Sequence, residues 1–424
     1  MRWFRYWKTR ILLILAVVGP GFITANVDND ASGIYVYSSA GAQFGHSLLW
    51  SLIPITLALI VVQEMSARMG AVTGKGLSDL IREEYGFRAT FFMMALLIAI
   101  NLLNVVGEFI GIATSLGLFH GHIHGHSFYI SKFVSVPIAA VLVWLLVIKG
   151  NYKSVEKIFL AASFFYICYI IAGFMAHPDW TDAIRATVVP PSRQVLWNKP
   201  YLYMLIGVIG TTIAPWMQFY LQASIVEKGV SAREYRASRL DVVLGCIFTD
   251  VVAWFIIVAC AATLFRTGHT DIGNAADAAR ALGPLAGRYA ALLFGAGLFN
   301  ASIFAASILP LSTAYTVCEG LGFESGLDKK FSEAPAFYWL YTVLVGAGAA
   351  AVLFIPDRLL IKVSILSQVL NGVLLPPVLI YMLLLINKRS LMGKYVNGRI
   401  FNWIAWITTA IIIAMTVTYA FVGQ

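Results

Sequence analysis

Eleven long apolar runs constrain this sequence of 424 residues more than any other feature. An α-helix needs about 20 residues to cross roughly 30 Å of hydrocarbon, and each run has close to that length or more. Only 12% of the residues are charged, against about a quarter in soluble domains, and the mean hydropathy is +0.80. The sequence therefore predicts an all-α membrane protein with 11 transmembrane helices, near residues 11–41 (interrupted), 46–70, 89–118, 132–149, 154–176, 202–225, 241–265, 289–318, 336–355, 359–387 and 400–422.

Lysine and arginine residues cluster in alternate connections between these runs, and such residues stay on the cytoplasmic side of a membrane. With the N-terminus inside, that side holds 21 of the 30 basic residues: Arg2 to Arg10, Arg68 to Arg88, Lys149 to Lys157, Lys228 to Arg239, Lys329 and Lys330, and Lys388 to Arg399. We expect a multi-pass protein of the plasma (inner) membrane, with a cytoplasmic N-terminus and an external C-terminus. The net charge of +9 then reflects this loop bias, so we expect membrane lipid and no nucleic acid as a partner.

The polar stretches between the runs are short, and the longest lie near 177–201 and 266–288. One membrane domain over 1–424 is therefore expected. The four cysteines all fall within apolar runs, which argues against a disulfide framework or a cysteine-rich zinc site and favours packing roles. They are Cys168, Cys246, Cys260 and Cys318.

Two of the runs are interrupted by glycine and proline, and they lie five runs apart. The first contains Gly19-Pro20-Gly21 and then Asp28-Asn29-Asp30, and the sixth contains Gly210 to Pro215. Broken helices at matching places in two halves are typical of transporters built from inverted repeats, with the substrate at the membrane midplane. We expect two five-helix repeats, over 11–176 and 202–387, and an extra helix over 400–422. The alternative is that the two prolines are ordinary kinks.

The pair Asp28 and Asp30 lies within the first apolar run. A carboxylate at mid-bilayer costs on the order of 3 kcal/mol, so a pair needs a partner. No lysine or arginine occupies a comparable position in any run. A bound cation is the expected partner, because carboxylate, hydroxyl and carbonyl oxygens suit Mg²⁺, Ca²⁺ or Mn²⁺. For one of the two aspartates, the alternative is that it caps the second half-helix.

Other polar residues occur inside the runs, and most are expected to form hydrogen bonds between helices. Glu108 and Asp250 stand out, because an ionised carboxylate needs more than a neighbouring helix. Gln368 and Asn371 are three residues apart, so they share one face of the tenth run. The remaining members of this set are Glu64, Asn104, Thr211, Thr212 and Asn300.

Two further motifs, a histidine-rich segment and a glycine-rich segment, have simpler interpretations than a binding site. The histidines of His120-Gly121-His122-Ile123-His124-Gly125-His126 could collect a transition metal, but a flexible external loop is the simpler interpretation. Gly70 to Gly76 lacks the Gly-Lys-Ser/Thr order and spacing of a phosphate-binding loop, which argues against an ATP-driven pump.

Several separated motifs resemble the Nramp divalent-metal transporters. They are Gly19-Pro20-Gly21-Phe22 with Asp30 eleven residues after Gly19, Arg68 to Lys75 with Leu77, Ser367-Gln368-Val369, and Leu391 to Asn397. The resemblance spans most of the chain and implies a LeuT-like fold with discontinuous first and sixth helices. It also implies that Asp30 is the motif's metal-binding aspartate.

The sequence departs from the family at its metal-binding positions. Gly33 stands in place of the family's asparagine, Ala214 in place of its methionine, and Trp216 in place of its histidine. Thioether sulfur favours softer transition metals, whereas Mg²⁺ prefers oxygen and gives up its waters reluctantly. The losses at Gly33 and Ala214 are expected to open volume for retained water. This pattern resembles the Nramp-related magnesium transporters, which implies Mg²⁺ transport, with Mn²⁺ also accepted and Ca²⁺ excluded.

The family's proton route is altered as well. Trp216 replaces its histidine, Val105 occupies the place of an acid on the third helix, and the ninth run, 336–355, holds no charged residue. Glu108 alone remains. We therefore expect uncoupled Mg²⁺ flow, driven inward by a negative-inside potential worth about 2.3 kcal/mol per charge per 100 mV.

The expected mechanism is alternating access about the two broken helices, with Asp30 as the main charge partner of a partly hydrated Mg²⁺. Thr211, Gln368 and the carbonyls near Asp30 and Ala214 would orient its waters, while Asp28, Glu108 and Asp250 add negative potential. The metal is substrate, so no cofactor, obligate protein partner or enzymatic activity is expected. The rival hypotheses are a proton-coupled Mn²⁺/Fe²⁺ importer, a cation-coupled amino-acid or amine symporter, and an integral-membrane metal hydrolase.

Overall fold

The chain forms a bundle of long helices in the computed structural model, which describes residues 19–118, 120–123, 126–150, 158, 164–280, 283 and 290–421. The helices of the first half are α1 (Pro20–Asn26), α2 (Ala31–Phe44), α3 (Leu52–Thr73), α4 (Leu77–Gly117), α5 (Lys132–Ile148), α6 (Ile167–Met175), α7 (Trp180–Val188) and α8 (Arg193–Leu196). Those of the second half are α9 (Lys199–Thr212), α10 (Pro215–Glu227), α11 (Tyr235–Cys260), α12 (Ala275–Ala279), α13 (Ala290–Leu321), α14 (Pro335–Phe354), α15 (Leu360–Ile386), α16 (Arg389–Met392) and α17 (Arg399–Phe421).

Each of the eleven predicted runs contains helix in its described part. Among the described residues, eight helices are long and apolar enough to cross a membrane, and α5 is a shorter apolar helix. The first run is divided between α1 and α2, and α6 is the described end of the run predicted over 154–176. Residues 11–18 of the first run lie outside the described residues.

Helix α4 starts at Leu77 and bends at Gly86, so its apolar section begins close to residue 89, where the third run was predicted. Gly86 lies within it at φ +80°, a conformation that favours glycine. The turn at Gly86 therefore separates a polar first section, which contains Asp79 and Arg82, from the apolar membrane-crossing section.

The two predicted breaks are present, and each has a local cause. At the second break, proline at the start of α10 cannot continue the preceding helix α9, since its ring fixes φ and removes the N–H. At the first break, Asp30 caps α2 by accepting the Gly33 N–H. The chain is extended at Asp30 (ψ 179°) and again at Ala214 (ψ 143°), which ends one half-helix and starts the next.

The start of α1 is held by a residue that is distant in sequence. The buried carboxylate of Asp241, on α11, accepts hydrogen bonds from the backbone N–H groups of Gly19 (2.8 Å), Gly21 (2.7 Å) and Phe22 (3.1 Å). These are N–H groups that a helix start leaves without partners. Asp241 therefore caps α1 from another helix.

Small residues allow the centre of the bundle to pack closely. A Cβ at Gly107 would overlap the Ser32 hydroxyl, and one at Gly111 would overlap Ala31 and Ser302. Close backbone approach at glycine is the usual means of helix association in membranes. As a result, α4 lies directly against the start of α2, beside the first break.

One end of the bundle is fastened by Arg68 at the end of α3. Its guanidinium donates to Glu64 Oε2 at 3.0 Å and to the carbonyl of Tyr395 at 3.0 Å, and it also binds the side-chain oxygen of Asn397. Two of the motifs that carried the family resemblance, one near residue 70 and one near residue 395, therefore meet in space. We call these four residues the Arg68 clamp.

The polar connections are more ordered than predicted. The histidine-rich segment was expected to be a flexible loop, but strands β1 (His120–Ile123) and β2 (His126–Tyr129) pair antiparallel within it. His124 lies outside the described residues. The stretches near 177–201 and 266–288 contain the short helices α7, α8 and α12. All four cysteines are free, as predicted.

Candidate functional site

The breaks of the first and sixth runs lie against each other in the middle of the bundle. The Thr211 hydroxyl, at the end of α9, donates to the backbone carbonyl of Asp28 at 3.3 Å. Both residues are buried. The structure thus brings Asp28, Asp30 and Thr211 together, and it places Ala214 at the start of α10, three residues beyond Thr211.

Asp30 is the cap of α2. Its Oδ1 accepts the backbone N–H of Gly33 at 2.6 Å, and only 4% of the residue is exposed. The capping role that was left as an alternative for one of the two aspartates therefore falls on Asp30. The Ser32 N–H and the Glu108 carboxyl also lie within hydrogen-bonding reach of the Asp30 carboxylate.

Gly33 does not leave the open volume that we expected from the missing asparagine. A Cβ at this position would overlap the Asp28 carbonyl oxygen and would lie 2.7 Å from Thr211 Oγ1 and 3.3 Å from Asp30 Oδ1. The space is filled by the chain itself. Glycine is required here because the two breaks approach each other so closely, a relationship that the sequence alone did not reveal.

Ala214 and Trp216 are both buried, each with 2% of its surface exposed. Ala214 offers only backbone oxygen and a methyl group to its surroundings. The Trp216 carbonyl accepts from Ser312 at 3.1 Å, and its ring packs near Tyr220 at 6.2 Å between centroids. The positions that the resemblance assigns to sulfur and imidazole ligands therefore carry no side-chain ligand atom.

Gln368 belongs to a chain of amides that links α15 to α4. Its Oε1 accepts from Asn371 at 2.7 Å, and Asn371 and Asn104 exchange two hydrogen bonds of 3.0 and 3.1 Å. This confirms that Gln368 and Asn371 share a face, and that Asn104 bonds between helices. A Cβ at Gly210 would overlap the Gln368 carbonyl, so α15 also lies against the end of α9.

Glu108 binds the other side of the first break. Its carboxylate accepts the Ala31 N–H at 3.2 Å and the Ser32 hydroxyl at 3.4 Å, and Ser32 is 2.7 Å from the Ser364 hydroxyl. Glu108 and Asp30 also lie close enough to interact directly. The carboxylate is therefore part of the site and contacts the N-terminal end of α2.

Asp28 faces away from Glu108, toward α11. It lies 3.4 Å from the Tyr37 hydroxyl and 3.5 Å from the Thr249 hydroxyl. Asp250, the next residue on α11, is a neighbouring charge of Asp28. All four predicted carboxylates thus surround the first break, with Asp30 and Glu108 on one side and Asp28 and Asp250 on the other.

Sequence reasoning identified Thr211 but missed three other hydroxyls at this site, those of Ser32, Tyr37 and Thr249. Ser32 directly follows the break, Tyr37 bonds Thr212 at 2.8 Å, and Thr249 precedes Asp250. The signal that could have found Ser32 and Tyr37 is position, since both lie within seven residues of Asp30 on α2. Asp241 offered no comparable signal, because its role depends on the pairing of α1 with α11.

Within the described residues, no group of three His, Cys, Asp or Glu side chains is arranged to hold a metal directly. The residues that meet at the breaks supply carboxylate, hydroxyl and carbonyl oxygens. Such a set suits a hard cation that keeps several of its waters, because Mg²⁺ is usually bound through one or two carboxylates.

This chain is similar to known proteins over nearly its whole length. The family model for Natural resistance-associated macrophage protein-like (Nramp) proteins matches residues 21–421. The divalent metal cation transporter MntH of Ralstonia nicotianae is 29% identical over 420 residues, which cover 94% of this chain and 89% of that protein. The protein of the same name from Granulibacter bethesdensis is 26% identical over 426 residues, with 97% and 88% covered.

The fold has counterparts among solved structures. The crystal structure of the Eremococcus coleocola manganese transporter, in complex with an aromatic bis-isothiourea substituted compound, superimposes with a TM-score of 0.76. The two chains are 20% identical, and the match covers 97% of this chain and 86% of that one. The predicted LeuT-like helical fold is thereby confirmed.

Proposed function

Because this chain belongs to the Nramp family, we propose that it carries a divalent metal ion across the membrane and that Mg²⁺ is its main substrate. The ion passes partly hydrated between the two broken helices by alternating access. Mn²⁺ is also accepted and Ca²⁺ is excluded. The relatives named above are transporters of divalent metal cations and of manganese, which supports the class of substrate.

The observation that carries the choice of Mg²⁺ is the all-oxygen character of the site. Asp30 provides a carboxylate at the break, Thr211 a hydroxyl and Ala214 a carbonyl, while the side chains at 214 and 216 supply neither sulfur nor imidazole. Few direct ligands leave a cation with waters, and Mg²⁺ retains its waters more strongly than Mn²⁺ does. Gly33 allows the two breaks to approach closely beside Asp30, and the Gln368 carbonyl lies against Gly210 at the end of α9.

Transport is proposed to be uncoupled from protons. A proton route between α4 and α14 would need titratable groups along it, and α14 contains none with a charge. Val105 of α4 packs against Gly348 of α14, where a Cβ would overlap its side chain. This apolar contact supports the proposal, because it offers no hydrogen-bonding path for a proton.

The proposed orientation places the N-terminus in the cytoplasm and the C-terminus outside, in the plasma (inner) membrane. It follows from the clustering of basic residues on one side. The proposed repeats cover 11–176 and 202–387 within one domain, with α17 as the extra helix.

The test is uptake into proteoliposomes that contain the purified full-length chain, with a Mg²⁺ indicator and a pH indicator enclosed together. We expect Mg²⁺ entry driven by a negative-inside potential, without acidification. Asp30→Ala should abolish entry, with Asp271→Asn, an exposed carboxylate that precedes α12, as the matched control. Acidification that tracks Mg²⁺ entry would refute uncoupled transport, and full uptake by Asp30→Ala at unchanged apparent affinity would refute the site.

The main alternative is a proton-coupled Mn²⁺ transporter, which the manganese transporter among the similar structures favours. Competition in the same liposomes separates the two. Excess Mg²⁺ should suppress Mn²⁺ entry if Mg²⁺ is the main substrate, and it should have little effect if Mn²⁺ is.

A further inference from the structure

The carboxylate of Asp250 is buried in the bundle and lacks a hydrogen-bond partner. Only 5% of the residue is exposed, and neither of its oxygens accepts a hydrogen bond within the described part of the chain. The Thr56 hydroxyl lies within reach of this carboxylate and also lies 2.7 Å from the Leu52 carbonyl, so its one hydrogen is shared between two acceptors. A buried carboxylate without donors is costly, so its surroundings need an explanation.

A second carboxylate faces the same point from the first break. Asp28 is the neighbouring acid of Asp250, and its hydrogen bonds to Tyr37 and Thr249 are long, at 3.4 and 3.5 Å. Asn29 holds the first break, and with it Asp28, against α11 beside Asp250. Its side-chain nitrogen donates to both Oγ1 (2.7 Å) and the carbonyl (3.2 Å) of Thr249, which fixes the break to this turn of α11.

Asn29 also contributes an acceptor. Because its nitrogen is used by Thr249, its Oδ1 is left buried without a partner among the described residues. Two carboxylates and one amide oxygen are therefore buried around Thr249 and Asp250, where donors are scarce. Carboxylate and amide oxygens are the ligands of hard divalent cations.

The negative charge around the first break also favours a bound cation. Asp28, Asp30, Glu108 and Asp250 are all buried, and the charged neighbours of Asp28 and Glu108 are the other acids, with no lysine or arginine among them. One divalent ion at Asp30 balances two of these four carboxylates. The pair on the α11 side still needs a charge of the opposite sign.

We propose that Asp28, Asp250 and the Asn29 side-chain oxygen form a second divalent-cation site, distinct from the substrate position at Asp30. It lies between the first break and α11, whereas Asp30 and Glu108 lie on the α4 side. The two sites share the chain of the first break. The second site does not depend on which ion is transported or on how transport is driven.

The experiment counts Mn²⁺ bound to the purified full-length chain, by the loss of the free-ion signal in electron paramagnetic resonance during titration. Wild type should bind two Mn²⁺ per chain, and excess Mg²⁺ should displace both. Asp250→Asn should bind one, Asp30→Ala should bind one, and the double variant should bind none. Glu319→Gln, which removes a buried carboxylate at the end of α13 away from the breaks, is the matched control and should bind two.

The outcomes separate this inference from the proposed substrate site. Two Mn²⁺ bound to Asp250→Asn would overturn the second site. One Mn²⁺ bound to wild type would also overturn it, and this is the result expected if protons neutralise Asp28 and Asp250. Two Mn²⁺ on Asp30→Ala would overturn the substrate position and leave the second site standing. If Asp250→Asn is not monodisperse, Asp28→Asn removes the opposite carboxylate and should show the same loss of one ion.

Discussion

The carboxylate of Asp241 on α11 accepts the backbone N–H of Gly21 at 2.7 Å, across 220 residues of sequence. Together with its bonds to Gly19 and Phe22, this contact closes one end of the interface between α1 and α11. A half-helix of seven residues has few internal hydrogen bonds of its own. Its position therefore depends on this external cap, and a movement of α1 would have to break it.

Asp241→Asn is expected to loosen α1. Hydrogen bonds to a charged group contribute about 1.5–3 kcal/mol each, and an amide keeps only one acceptor oxygen. A local loss of about 1–2 kcal/mol corresponds to roughly five- to thirtyfold faster amide exchange. Hydrogen–deuterium exchange of residues 19–26 measures this effect. The exposed Asp271→Asn is the control, and unchanged exchange at α1 would show that the cap is dispensable.

Gly33→Ala is expected to abolish Mg²⁺ uptake. The added Cβ would overlap the Asp28 carbonyl and press on Thr211, so the two breaks would have to separate. Gly346→Ala is the matched control, because a Cβ there meets nothing within 4 Å. It should keep full uptake. If Gly33→Ala transports like wild type, the close contact of the breaks is not needed for transport.

Ala214→Met is expected to change the order of preferred metals. A thioether beside the ion path favours softer ions, so Mg²⁺ uptake should fall at least tenfold while Cd²⁺ becomes a stronger competitor of Mn²⁺ uptake. Ala214→Leu has a similar size without sulfur, and it should lose uptake of every metal. Identical behaviour of the two variants would mean that the side chain at 214 lies away from the ion.

The amides of Asn104 and Asn371 are expected to be energetically coupled. Removing either one with leucine leaves the other without its two partner bonds, and such interhelical pairs contribute about 0.6–1.7 kcal/mol in membranes. The double variant should be more stable than the sum of the single changes predicts, as measured by unfolding in a detergent series. Mg²⁺ uptake should fall in Asn371→Leu and in the double variant, because Gln368 loses the orientation that Asn371 provides.

Asn101→Leu tests whether that loss of uptake is specific. Asn101 lies one turn from Asn104 on α4 and bonds Thr313 at 2.8 Å instead. It should lose stability and retain uptake. Additive effects in the cycle, or equal loss of uptake in Asn101→Leu, would contradict the role assigned to the Gln368 chain.

The sequence predicted the features that depend on local chemistry. Proline at 20 and 215 must start a half-helix, and a run such as 336–355 must cross the membrane, whatever lies around it. The contacts of Asp241, Thr249 and Tyr37 could not be predicted, because they join residues that only the packing of α1, α2 and α11 brings together.

The prediction of open volume at Gly33 was wrong, also because packing could not be predicted. From the sequence, the lost asparagine predicted empty volume beside the ion. In the structure a carbonyl and a hydroxyl from two other segments fill that volume. A small residue leaves a cavity only when the neighbouring segments do not pack into the space. The sequence pattern does not show how close those segments lie.

The Arg68 clamp has a consequence for biosynthesis. Arg68 lies at the end of an early helix and is made while Asn397, its partner 329 residues later, is still unmade. A buried charge without a partner is costly. Glu64, one turn earlier on the same helix, supplies that partner at once. Glu64 can therefore keep Arg68 paired while the rest of the chain is made. The contacts of Arg68 with the final loop then complete this end of the bundle.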